Sequence, residues 1–142
     1  MKSLAFAGFS IDTDTGRLME LYPSSRHWTS DHGTYLVWIS AKEARYGIYY
    51  VQLDRDESNR MRKLTLRFEV PMELRESVRG RSCSDILASI VARYGPAMDE
   101  PKPWSEEAAR HEPKVWFDAM SRLTFDCAEY AVVIEPRQRA SR

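Results

Sequence analysis

Two of the three histidines fall in one polar stretch, running from Tyr22 through Pro23, Ser24, Ser25, Arg26, His27, Trp28, Thr29, Ser30, Asp31 and His32 to Gly33. Histidine is the side chain whose unperturbed pKa lies nearest neutrality, and a carboxylate can orient its ring. His27 or His32 would then act as a base on water, Asp31 would hold the imidazole, and Arg26 would hold an anionic substrate. His27, Asp31 and His32 also count three metal-ligand types. Their spacing matches no specific zinc pattern, which would want a firm third ligand and an open fourth position, so no metal is expected.

The other chemistry-bearing groups read as structural. Asp12-Thr13-Asp14-Thr15 follows an apolar run and superficially resembles the aspartate motif of the haloacid dehalogenase-like phosphatases, which implies Mg²⁺ and an aspartyl nucleophile on a parallel sheet. The resemblance covers about five residues; Gly16 departs from the motif, and Leu18 returns at once into a second apolar run. A hairpin turn is the expectation, with Asp side chains accepting backbone hydrogen bonds. Asp54-Arg55-Asp56-Glu57-Ser58-Asn59 has the start of a calcium loop, but Asn59 and Thr65 stand where an EF-hand needs Gly and Glu. Cys83 falls at a helix start, where a thiol pKa drops. No Cys-x-x-Cys, phosphate loop or nearby histidine supports a nucleophile there, and Cys127 reads as core. His111-Glu112 reads as a surface pair. No glycine-rich nucleotide fingerprint is present, and no cofactor is expected.

The elements that must position these groups follow from periodicity. Leu4 to Ile11 and Leu18 to Tyr22 read as a hairpin around residues 12–17. Residues 22–33 have no period and read as an irregular loop, with Trp28 packed down to pin it. Thr34 to Ile39 is a strand apolar on both faces, and Tyr46 to Leu53 is a second, rich in aromatic and β-branched residues. Asp54 to Arg60 is a charged turn. Lys63 to Val70 alternates cleanly: Leu64, Leu66, Phe68 and Val70 face one way, Lys63, Thr65, Arg67 and Glu69 the other. Ser82 and Asp85 have capping-box spacing before Ile86, Leu87, Ile90, Val91 and Tyr94, with Gly95-Pro96 as the stop. A second helical stretch follows Trp104, interrupted by Pro113, with Val115, Trp116, Ala119 and Met120 as its apolar stripe. Leu123 to Ile134 is the last strand, bent near Cys127, and residues 136–142 form a polar tail. Strands joined by short connections must pair antiparallel, and helices grouped late indicate α+β rather than βαβ repetition. The expected fold is one α+β domain over residues 1–135: a curved, mainly antiparallel sheet of five to six strands, in chain order βββββααβ, with two or three helices on one face.

With 43% hydrophobic and 30% charged residues, the chain can bury a core, and its formal net charge is zero. Residues 55–81 carry net +3 and residues 82–135 net −5, with sixteen of the 21 basic residues Arg. Without a sustained basic block, nucleic acid is not an expected partner. No run approaches the roughly 18 apolar residues of a membrane span. Two cysteines make no disulfide framework, and the apolar run at residues 1–11 ends too soon, at Asp12, to be a secretory signal, so a reducing cytoplasm is expected. The favoured function is a non-enzymatic protein-interaction or accessory domain with a protein partner or as a homodimer. The rival is a small-molecule-binding domain or small hydrolase built on Arg26, His27, Asp31 and His32.

Overall fold

The alternation around Leu64 places β4 (Met61–Phe68) in the middle of the sheet. A computed structural model describes residues 4–68, 83–98 and 113–137. In it β4 pairs on one side with β3 (Ile48–Arg55) and on the other with β7 (Ala131–Pro136). Outward from β3 come β2 (Thr34–Trp38) and β1 (Arg26–Thr29); outward from β7 come β6 (Ser121–Asp126) and β5 (Lys114–Phe117). The seven strands run in the order β1-β2-β3-β4-β7-β6-β5, and every neighbouring pair is antiparallel. Two meanders, β1 to β4 and β5 to β7, thus join along β4 and β7.

Register puts the apolar residues in rows. Tyr35, Leu53, Leu64, Ile134, Leu123 and Trp116 lie across from one another, and Val37, Val51, Leu66, Val132 and Phe125 form the next row on the same face. These eleven join one buried cluster with Ile86 and Ile90 of α2 (Cys83–Tyr94), Leu18 of α1 (Thr15–Leu21), and Leu4, Phe6 and Phe9. Burying a Leu, Ile or Phe side chain is worth about 1.5–3 kcal/mol, so this face carries most of the stabilisation. The indole of Trp116 is fully buried and donates through Nε1 to the Gly95 carbonyl at 2.9 Å, which satisfies its one polar atom.

The α+β class and the antiparallel sheet agree with the reading of the sequence, whereas the strand count and several elements differ. The expected first hairpin is not formed. Residues 15–21 are helical, and Asp14 is the N-cap, its Oδ1 accepting from the Arg17 amide at 2.9 Å. Asp serves turns and helix starts equally well, and Arg17-Leu18-Met19-Glu20-Leu21 are all good helix formers, so the local signal was ambiguous. The preceding run folds on itself instead, Phe6 and Phe9 bridging across Ala7-Gly8. Val115 and Trp116 lie on a strand rather than a helical stripe: Trp116 faces the core opposite Leu123, while Ala119 and Met120 are exposed in the next turn. The last strand is two, β6 and β7, reversed through a turn at residues 127–130 where Tyr130 takes φ 52°. The cap at Ser82, the stretch 104–112 with Trp104 and His111, Val70 and residues 138–142 of the tail lie outside the described residues.

Candidate functional site

The stretch expected as an irregular loop contains β1, and strand alternation separates its candidate residues. His27 lies opposite Val37, on the core face, and Arg26 lies opposite Trp38, on the other. His27 is engaged at both ring nitrogens. Nε2 is 2.6 Å from the Tyr22 carbonyl, which can only accept, so Nε2 donates. Nδ1 is 2.5 Å from the Tyr35 hydroxyl. Burial raises the Tyr35 phenol above its usual range, partly offset by Arg55, so it stays an O–H. His27 therefore ties β1 to β2 and to the chain after α1, with no ring nitrogen left over.

Asp31 and His32 are exposed in the β1–β2 turn, which Ser30 organises. Its Oγ accepts from the His32 and Thr34 amides, both at 3.1 Å. Gly33 closes the turn at φ 89°, and a Cβ there would stand 2.8 Å from the Arg55 carbonyl oxygen, so only glycine fits. Among the described residues Asp31 makes no hydrogen bond to either histidine, and Asp31 and His32 instead border a shallow groove with Arg55, Asp56, Glu57 and Arg62. Arg26, His27, Asp31 and His32 are thus distributed over three places. The second acidic turn is a plain hairpin connection: Asp56 Oδ1 accepts from the Ser58 and Arg60 amides at 2.9 Å.

What the segment does assemble is an aromatic edge. Trp28 does not pin the loop; it stands 54% exposed on the outer face beside Leu36. Trp38 is 51% exposed and rests on Tyr50, with ring centroids 4.7 Å apart, and on Tyr49 at 6.1 Å. A β-bulge between Ile48 and Tyr50 brings two tyrosines against one tryptophan. A polar row continues along β3 on that face: the Tyr50 hydroxyl donates to Gln52 Oε1, Gln52 Nε2 donates to Asp54 at 3.2 Å, and Thr34 donates to the same carboxylate at 2.8 Å. The outer edge of β1 is unpaired among the described residues, because β1 ends the strand order. In the sequence this patch shows only as Trp28 and a strand apolar on both faces, a pattern that suits burial as well as exposure.

The cysteines also require correction. Cys83 at the start of α2 and Cys127 in the β6–β7 turn form a disulfide, with Cα atoms 5.7 Å apart, rather than an isolated thiol and a core cysteine. Their separation of 44 residues hid the pairing, since only the docking of α2 on the sheet brings them together. No group of three or more His, Cys, Asp or Glu side chains suited to a metal occurs among the described residues, and no helix among them is long and apolar enough to cross a membrane. No family model, curated protein or solved structure matches the chain.

Proposed function

We propose that the protein is a small non-enzymatic interaction domain that works by pairing the free edge of β1 with β1 of a second copy. The observation that carries this reading is the unpaired edge strand flanked by two half-exposed tryptophans, Trp28 and Trp38. An open edge is a template for strand addition, and tryptophan is enriched where interfaces gain their energy. A two-fold axis that keeps both sheets facing the same way sets Trp28 opposite its own copy, His27 opposite Thr29 and Arg26 opposite Ser30. That register separates the two Arg26 charges and lines the tryptophans of both copies into one band.

Size-exclusion chromatography with light scattering tests it: the expected species has twice the 16.5 kDa chain mass, and Trp28→Lys should return it to one chain. A wild-type protein that runs as a single chain and retains no partner in a pull-down from its host would end the proposal. The zero net charge supports a protein over a nucleic-acid partner. The hydrolase reading of residues 22–33 is less favoured, because Arg26 and His27 lie on opposite faces of β1 and neither borders the groove that Asp31 and His32 share. The Cys83–Cys127 bridge favours an oxidising compartment over the cytoplasm expected from the cysteine count. Alkylation of protein taken from its host without reductant checks that: two blocked thiols would restore the cytoplasm.

A further inference from the structure

Three arginines from distant parts of the chain line one cavity of about 490 Å³: Arg17 of α1, Arg45 of the β2–β3 turn and Arg93 of α2. Among the described residues no aspartate or glutamate lines it. Its apolar wall comes from Phe6, Phe9, Leu21 and Ile90. The volume lies in the range of small-molecule sites, and apolar walls with a few convergent polar groups are their usual composition. Three exposed cations on one cavity wall repel one another in part, and an anion placed among them relieves that repulsion.

The arginines are free to receive one. Among the described residues the Arg17 side chain pairs only with the exposed Glu20, at 3.7 Å. Arg93 rests over the Tyr94 ring at 5.6 Å, and neither it nor Arg45 has an ion pair among the described residues. Glu43, the acid nearest Arg45 in sequence, already accepts from the Ser24 amide at 3.0 Å and from the Ser25 hydroxyl. Beside Arg45 stands Tyr22, whose phenol makes no hydrogen bond to the described residues. Burial pushes that phenol up to about 12, with Arg45 lowering it and Glu43 raising it, so it remains a neutral donor.

The walls are preorganised. Phe6-Ala7-Gly8-Phe9 and Arg45-Tyr46-Gly47-Ile48 are two tight turns, each closed by an isolated bridge and each with both central residues at positive φ. Ala7 at 52° and Tyr46 at 59° are not glycines, and Tyr46 is 60% exposed, so core packing does not explain its conformation. Two successive positive φ values are the geometry of a tight two-residue turn, so these turns hold the cavity walls in place without a ligand. The Tyr94 hydroxyl fixes the first turn to α2, accepting from the Ala5 amide at 2.8 Å and donating to the Ala5 carbonyl at 2.7 Å.

We propose that this cavity binds an organic anion, a carboxylate or phosphate head on an apolar body, with the head among Arg17, Arg45 and Arg93 and the body against Phe6, Phe9 and Ile90. Binding of this kind is independent of pairing at β1. The test is calorimetric titration with four probes sharing one tail: octanoate, octyl phosphate, 1-octanol and octyltrimethylammonium. The expected result is that at least one anionic probe binds tenfold or more tightly than the alcohol, while the cation does not bind; the order of the two anions tells a carboxylate from a phosphate site. Arg45→Gln with Arg93→Gln should weaken the anion at least tenfold, whereas Arg60→Gln, in the remote β3–β4 turn, should not. Should the double variant fail to fold, the single Arg45→Gln, in an exposed turn, carries the same comparison. No anion binding at millimolar concentration, equal binding of the alcohol, or anion affinity unchanged in the folded arginine variants would overturn the proposal.

Discussion

The β1 edge and the arginine-lined cavity use the same residue types in opposite ways. At the edge, Trp28, Trp38, Tyr49 and Tyr50 lie within 23 positions of one another on adjacent strands and enclose nothing. At the cavity, Phe6, Arg17, Arg45, Arg93 and Tyr94 come from across most of the chain and line a half-open hollow. A pleated sheet holds the edge together by its own ladder, so the patch survives as long as β1 to β3 do. The cavity needs the N-terminal segment, α1 and α2 docked in place by Leu4, Phe6, Phe9, Leu18, Ile86 and Ile90 in the buried cluster, by the hydrogen bonds of Tyr94 with Ala5 and of Asp118 and Ser121 with Leu4, and by the Cys83–Cys127 bridge. A site built on one strand ladder is therefore robust and one assembled from several docked segments more fragile, and perturbations should separate them.

The largest separation is expected from the disulfide. Replacing both Cys83 and Cys127 by Ser releases a 44-residue loop, and the chain-entropy estimate for such a closure is about 4 kcal/mol. Urea denaturation should show that loss, and anion binding should fall because α2 loses its anchor. Dimerisation by light scattering should persist below the transition. Equal loss of both would mean that the sheet and the helices unfold as one unit.

Tyr94→Phe removes both hydrogen bonds to Ala5 while keeping the ring. The cost should be about 1–3 kcal/mol, because the partner amide and carbonyl are part-buried. Anion affinity should drop and the β1 contact should not change.

Proton release and uptake should act on the cavity side from both ends of the pH scale. At Asp118 burial raises the carboxyl pKa, but hydrogen bonds from the Met120 and Ser121 amides, the Ser121 hydroxyl and the Leu4 amide outweigh it and hold the pKa below its usual value. A depressed carboxylate pKa contributes stability above the unfolded-state value, which is lost as pH falls through the folded one. Acidification below about pH 4 should thus loosen the N-terminal segment first, read by amide exchange at Leu4. Tyr22 behaves with the opposite sign. Its phenol is raised from 10.0 to about 12, so its contribution is complete below pH 10 and declines between those values. Ultraviolet titration should show late-ionising tyrosines, Tyr35 and Tyr50 among them because burial raises those phenols too, and Tyr22→Phe should remove the component near pH 12.

The smallest stability effect belongs to the edge. Trp28→Lys alters a half-exposed side chain and should change unfolding free energy by no more than about 0.5 kcal/mol. Its effect should fall on oligomeric state alone. A large stability loss would show that Trp28 is packed more firmly than its exposure indicates.

Local periodicity was enough for the strands at Thr34 and Lys63 and for the helix ending at Tyr94, because alternation and the 3.6-residue repeat are imposed by the same burial that forms the element; the strand expected over Tyr46 to Leu53 is displaced to Ile48–Arg55, with Tyr46 and Gly47 in the turn before it. The α+β class and the antiparallel pairing followed from the short connections between the early strands. Asp14 could begin a helix or close a turn, and only the fit of Leu18 into the buried cluster selects the helix. Trp116 carries the same apolar signal on a strand as on a helix, so pairing with Leu123 decided it. Residues 22–33 look patternless because β1 is four residues long and exposed along most of its length, leaving no alternation to read. Side-chain direction then split Arg26 from His27, a consequence of the two-residue strand period once β1 is recognised. The Cys83–Cys127 bridge and the convergence of Arg17, Arg45 and Arg93 join residues dozens of positions apart. No local rule encodes such distances; they exist only once the helices dock on the sheet, which is why the tertiary structure alone could place them.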